Sequence, residues 1–305
     1  MDALASARLA IGSAFLVAAA ASDLRTRRVP DPLWVALGTI GLFILLLEVL
    51  FATAGLERLG LLAGTAILFY AIFFGEPLLG EHGLRPKPAR IAILGAAALL
   101  VGGSAVAASG KGGEDARLYL ETLTMPVMVL AYQGFYLVGL LHGGADAKGM
   151  TAITLLVPTY PNAAPFPLLA FDPRIEGAMH LLFPFSLVVF VNAAILYLAL
   201  PIAFLGYNAA HGDIRLPQAL FGYRIRGDRL PKNTWLMERI DEGGEHALVL
   251  FPRRGRDQQV EMERLRAAGI ARPWVQPKIP LMVPLGIGYV MSFVLGNVLL
   301  VLIAR

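Results

Sequence analysis

Eight stretches of mostly apolar residues, each close to the roughly 20 that carry a helix across a bilayer, constrain this chain more than any other feature. They fall at about 4–22, 33–52, 56–74, 91–108, 123–141, 150–170, 179–205 and 279–303. With 57% of its 305 residues apolar and 16% charged, against about a quarter charged in a soluble domain, the sequence excludes a soluble globular enzyme. The fold class expected is an all-α polytopic membrane protein of about eight transmembrane helices, with a small α+β cytoplasmic insertion before the last helix.

The first stretch contains Arg8 and has the length of a secretory signal. Its start carries Asp2 and no lysine, and it runs into Asp23-Leu-Arg-Thr-Arg-Arg28, which reads as a cytoplasmic anchor and not as a mature N-terminus. The sixth stretch holds Pro158, Pro161, Pro165 and Pro167, so a broken or partly re-entrant segment is expected there. The polar segment 76–90, with Arg85, Lys87 and Arg90, reads as a loop. Residues 207–278 carry 13 Lys+Arg and nine Asp+Glu and form the expected soluble domain. Short strands at 221–225 and 247–251 and a helix at 257–268, with Val260 and Leu265 at helical spacing and charged faces, are its expected elements. The organisation expected is a membrane core over 1–206, a soluble cytoplasmic domain over 207–278 and a C-terminal transmembrane helix over 279–305.

Cysteine is absent, which excludes disulfides, thiolate metal sites and a cysteine nucleophile. The net charge of +4 does not imply a nucleic-acid partner, because multi-pass proteins gather Lys and Arg in cytoplasmic loops. Arg25, Arg27 and Arg28 put the end of the first span inside, and alternation then puts the Arg85/Lys87/Arg90 loop, the segment around Asp146 and the charged block inside as well. Twenty Lys+Arg lie inside on this count and six outside: Arg8, Arg58, Lys111, Arg117, Arg174 and Arg305. Four spans separate Asp23 from Asp146, so the two emerge on one face whichever way the chain is oriented.

Ionisable groups at or in a bilayer are costly and mark functional candidates. Outside the loops and the soluble domain these are Asp23, Glu48 and Asp146, with Asp31 near the interface. Glu48 lies about a turn from a span end, where it can reach interfacial water. Asp31, after Pro30, suits an interfacial turn or an N-cap. Asp23 closes a helix whose dipole disfavours an anion there, with neighbouring arginines to offset that. Asp146 fits either an N-cap or a site, and Gly143 and Gly144 before it allow close approach of another chain. Lys148 is either an interfacial anchor or a contact to a carboxylate or a substrate. His142 and His180 lack metal-ligand spacing and read as solvated, while Asn192 reads as a bond between helices.

Two carboxylates a few Å apart share a proton, one acting as base and the other as acid. That is aspartic-protease chemistry, which needs neither metal nor cofactor. Neither His-Glu-x-x-His nor Gly-x-Ser-x-Gly occurs. The residues alone leave open an intramembrane protease cutting within a helix, and an ion-coupled transporter using buried carboxylates and the Pro-broken span.

Asp23-Leu-Arg-Thr-Arg-Arg-Val-Pro-Asp31 and Gly143-Gly-Ala-Asp-Ala-Lys148 resemble the two aspartate motifs of the type IV prepilin peptidases, particularly the archaeal members that process archaellin and pilin precursors. Trp274-Val-Gln-Pro-Lys-Ile-Pro280 is similar to the C-terminal part of a longer archaeal subgroup. The resemblance implies Asp23 and Asp146 as catalytic aspartates, with Gly143, Gly144, Lys148 and Asp31 supporting or contacting substrate. It implies cleavage of a short basic leader from pilin-like or archaellin precursors at the cytoplasmic membrane face, with membrane lipid as the surroundings and no cofactor. Ala145 departs from the family's Gly-x-Gly-Asp, and Asp31 stands where Asn is usual. Without cysteine, the paired-cysteine domain and the N-methylation of bacterial members are not implied.

Overall fold

The computed structural model describes residues 1–51, 55–75, 79–80, 83–84, 87–141, 143–169, 173–226, 230–241, 243–250 and 257–304. His142, Arg85 and Phe251, which figure in the sequence reading, lie outside the described residues. The chain divides into two compact units, Met1–Ala193 with Leu281–Arg305, and Ala194–Pro280.

The first unit opens with α1 (Ala3–Thr26), α2 (Asp31–Phe51) and α3 (Leu56–Phe74). Two paired short strands follow, β1 (Leu79–Gly80) and β2 (Gly83–Leu84), then α4 (Pro88–Ala108), α5 (Gly113–Leu137), α6 (Gly144–Leu156), α7 (Pro173–Leu182) and α8 (Phe185–Ala210), whose second half enters the other unit. The unit closes with α11 (Met282–Val294) and α12 (Val298–Ala304).

Among the described residues, five helices are long and apolar enough to cross a membrane: α1, α2, α3, α4 and α8. The chain is a polytopic α-helical membrane protein. The remaining apolar stretches take other forms, for local reasons. The fifth expected span is the C-terminal part of α5, whose first half carries Glu114, Asp115, Arg117 and Glu121. The sixth stops as α6 at Leu156, because Val157 precedes Pro158 and leaves the helical region (φ −127°, ψ 78°), which a following proline disfavours. The eighth breaks at Gly296 (φ 88°) into α11 and α12.

That break is filled by partners, as backbone groups away from water require. Leu168 and Leu169 N–H donate to the carbonyls of Val294 and Leu295 at 2.9 and 3.1 Å. Asn192 of α8 donates to Ser292 Oγ at 3.0 Å and to the Gly296 carbonyl at 2.9 Å, so it bonds between helices.

The helices approach through small residues, which substitute for hydrophobic collapse where the solvent is itself apolar. At Gly41 of α2 an added Cβ would lie 2.6 Å from the Leu155 backbone of α6. Trp34 of α2 is fully buried beneath Gly149 of α6. These contacts join a cluster that includes Leu16, Ala19, Val29, Trp34, Ala147 and Met282. A second cluster joins α2, α3, α4, α5 and α6 around Phe69, Met125 and Leu155.

The second unit follows the end of α8 with α9 (Gln218–Phe221) and an antiparallel sheet of order β3-β7-β4. Its strands are β3 (Tyr223–Arg224), β4 (Thr234–Leu236) and β7 (Trp274–Pro277). A hairpin of β5 (Glu238–Ile240) and β6 (His246–Leu248) and the helix α10 (Gln258–Ala267) complete it. Asp257 caps α10 by accepting from Gln259 N–H at 2.9 Å, and Ile225, Leu236, Met262, Leu265 and Val275 form its core. Asp213 holds Arg272 at 2.5 Å and Arg224 at 3.6 Å, and Arg224 lies 5.3 Å from the Trp274 ring centroid.

Candidate active site

The end of α1 is shaped by its own hydroxyls. Thr26 donates to the Ser22 carbonyl at 2.9 Å, and Ser22 donates to that of Arg28 at 2.7 Å. Arg27 takes a left-handed backbone (φ 56°) and returns its N–H to the Asp23 carbonyl at 2.9 Å. The turn tucks Val29 into the main cluster and leaves Leu24, Arg25 and Thr26 exposed, while Asp23 stays half-buried. The Asp23 carboxylate faces the backbone N–H of Met282, the first residue of α11, and the charge of Arg27. A helix N-terminus is a favourable place for an anion, which offsets the unfavourable dipole at the end of α1.

Asp146 is not the cap of its helix. Gly143 occupies that position (φ −107°, ψ 126°), and Asp146 sits in the first turn of α6, where an acidic residue complements the dipole. The Asp146 side chain folds back over Gly143 so closely that a Cβ on Gly143 would lie 2.5 Å from Oδ2. Glycine at 143 is therefore a matter of space, its φ and ψ being open to any residue. Gly144 is different: its nearest neighbour would be the Tyr136 ring at 3.7 Å.

Asp31 and Lys148 meet directly. Asp31 begins α2 and is half exposed, and Lys148 Nζ lies 2.5 Å from its Oδ2 and 5.3 Å from the Phe73 ring centroid. This pair ties the start of α2 to α6 two residues beyond Asp146. Ala19, Ala20 and Val29 beside Asp23, and Ala145, Ala147 and Met150 beside Asp146, belong to one apolar cluster with Leu281 and Met282. Among the described residues, no three His, Asp or Glu side chains are placed to hold a metal ion.

Residues 215–298 match the family described as archaeal peptidase A24 C-terminus, type II. The match shows a likeness to the C-terminal region of archaeal A24 peptidases over that segment. No curated protein matches the chain. The matched segment contains Trp274–Pro277, Lys278, Ile279 and Pro280, and with them Met282, whose N–H faces Asp23.

In the candidate site Met282 is the residue that sequence reasoning misses, because it contributes only a backbone N–H and no side-chain signal. Two other assignments change. Glu48 does not simply reach toward water: it pairs with Arg8 of α1 at 2.5 Å, whose side chain is 4% exposed, and the Arg8 carbonyl accepts from Tyr289 of α11 at 2.7 Å. His180 is not solvated. It is 12% exposed, stacked on Tyr160 at 3.7 Å between centroids, and lies 3.5 Å from Glu121 and 3.8 Å from Glu176.

Proposed function

We propose that the chain is an aspartic endopeptidase that removes the short basic leader of type IV pilin-like or archaellin precursors at the cytoplasmic face of the cell membrane. The observation that carries this reading is the setting of Asp23 and Asp146. Both are half-buried at helix ends that border one apolar cluster, one beside the N-terminus of α11 and the other folded over Gly143 in the first turn of α6.

In the proposed reaction one aspartate is ionised and the other protonated. The ionised carboxylate takes a proton from a water molecule, whose oxygen attacks the scissile carbonyl carbon, while the protonated one donates to the carbonyl oxygen. Collapse of the tetrahedral intermediate breaks the C–N bond: the carboxyl that received the water proton delivers it to the leaving amine, and the other carboxylate takes back a proton from the hydroxyl that becomes the new carbonyl. Asp31 and Lys148 act at one remove by holding the start of α6 against α2. The arginines at 25, 27 and 28 support a cytoplasmic face for the site.

The test is leader cleavage in membranes by wild type, Asp23→Asn and Asp146→Asn, using a pilin-like precursor with a basic leader. Each single variant is expected to lose cleavage while expressing and melting like wild type. Retained cleavage in both variants refutes the two-aspartate mechanism.

A further inference from the structure

The open face of α1 and the facing side of α11 enclose an apolar groove of about 750 Å³. Ser13, Val17, Ala20 and Leu24 line it from α1, and Met282 and Gly286 are among its α11 lining. Val17, Leu24, Ile287 and Val290 are 68, 51, 49 and 40% exposed, so the groove opens outward along its length. We propose that this groove receives the apolar helix of the precursor, the segment that follows the cleaved leader. The assignment rests on the peptidase reading and adds to it where the substrate helix lies.

Three observations select a helix as the occupant. The groove is continuous with the aspartate site, because Ala20 and Leu24 lie within a turn of Asp23, and Met282 supplies the N–H that faces its carboxylate. From Ser13 to Leu24 it runs about 16 Å at 1.5 Å per residue, more than half of a bilayer core of about 30 Å. It is lined by small residues at Ser13, Ala20, Ala21 and Gly286, which let a helix backbone approach closely. A helix seated here has one end at Asp23, where a bond just ahead of an apolar segment must lie. Another face of α1 is already occupied: Ala5, Arg8 and Ala19 are buried, and Gly12 lies against Tyr289.

The native chain has no cysteine, so single cysteines report proximity without background. Val17→Cys, Ile287→Cys and, as a membrane-facing control on α4, Leu99→Cys (78% exposed) are placed singly in the Asp23→Asn background. Each is co-expressed with a precursor carrying one cysteine in its apolar helix, and disulfide formation is scored after mild oxidation in membranes. Cross-linking at 17 and 287 well above 99 is expected. Equal yields at all three positions, or none at 17 and 287, overturn the proposal and leave lipid as the occupant. Wild-type cleavage of the same precursor is scored separately, so loss of the peptidase reading shows as no cleavage, whatever the cross-links.

A second measurement uses Gly286→Leu. A Cβ there meets only Leu16 Cβ, at 3.6 Å, so the added side chain projects into the groove. KM for the full precursor is expected to rise at least about tenfold, with kcat little changed and with no change for a short peptide that spans the cleavage site but lacks the apolar helix. Equal KM for the full precursor in variant and wild type overturns the proposal.

Discussion

Gly143→Ala separates the placing of a carboxylate from the stability of its fold. The added methyl would sit 2.5 Å from Asp146 Oδ2, whereas ordinary contact begins at 3.4 Å, so the carboxylate has to move by about 1 Å. The clash falls on the far end of a side chain that can rotate, and the Gly143 backbone (φ −107°, ψ 126°) suits alanine. The expected stability loss is therefore that of an off-rotamer χ, about 0.5–1.5 kcal/mol, with some contribution from a weaker N-cap. Displacing a catalytic group by 1 Å costs on the order of 10²-fold in rate. Single-turnover cleavage of a saturating precursor, run beside a thermal melt in detergent, reads both. Gly144→Ala is the matched control, because its nearest neighbour at 3.7 Å leaves room and loss of glycine favours the folded state by about 0.4–1 kcal/mol. If Gly143→Ala cleaves at the wild-type rate, or if Gly144→Ala is as slow as Gly143→Ala, the assignment of Asp146 geometry to function fails.

Other perturbations test the frame around the site. Asp31→Asn and Lys148→Met each remove an exposed pair and are expected to cost less than about 1 kcal/mol. Their effects on cleavage should be alike and not additive, and a double variant as slow as the product of the singles contradicts a shared role. For Arg8→Met and Glu48→Gln, a double-mutant cycle of melting free energies is expected to give a coupling in the lower half of 0.5–3 kcal/mol, because Glu48 keeps 34% of its side chain exposed. Gly41→Ala forces α2 from the Leu155 backbone and is expected to destabilise by about 1–3 kcal/mol, whereas Gly95→Ala, with nothing within 4 Å, should be neutral. Similar melting of the two variants would show that α2 and α6 tolerate separation.

The membrane character of the chain is legible because a bilayer demands long apolar runs, and α1, α2, α3, α4 and α8 supply them within a few residues of where the sequence places them. The C-terminal unit is legible for the opposite reason, as a concentration of charge with short alternating segments: β3, β6 and α10 lie inside or beside their expected ranges. What hydropathy cannot register is where an apolar run stops being helical. Val157 and Gly296 end α6 and α11, and the freed carbonyls at 294 and 295 are taken up by residues 168 and 169, which lie more than a hundred residues away in sequence. Pairings between distant spans are hidden in the same way. Arg8 with Glu48 and His180 with Tyr160 look unpartnered in a linear reading, because each partner lies in a different segment.

The same limit governs the candidate site. Aspartates in a membrane chain stand out by their cost, and Gly143 stands out by its position, so the side chains of the site can be read from residue types and spacing. Their holders cannot. Met282 enters through its amide hydrogen, which every residue but proline possesses, and its placement depends on where α11 begins. The peptide unit that faces Asp23 lies inside the stretch matched to the A24 C-terminal family. Met282 is the first residue of α11, where a proline is tolerated, so Met282→Pro removes that N–H and leaves the helix in place. Leader cleavage is then expected to fall although neither aspartate is touched, and undiminished cleavage would remove α11 from the site.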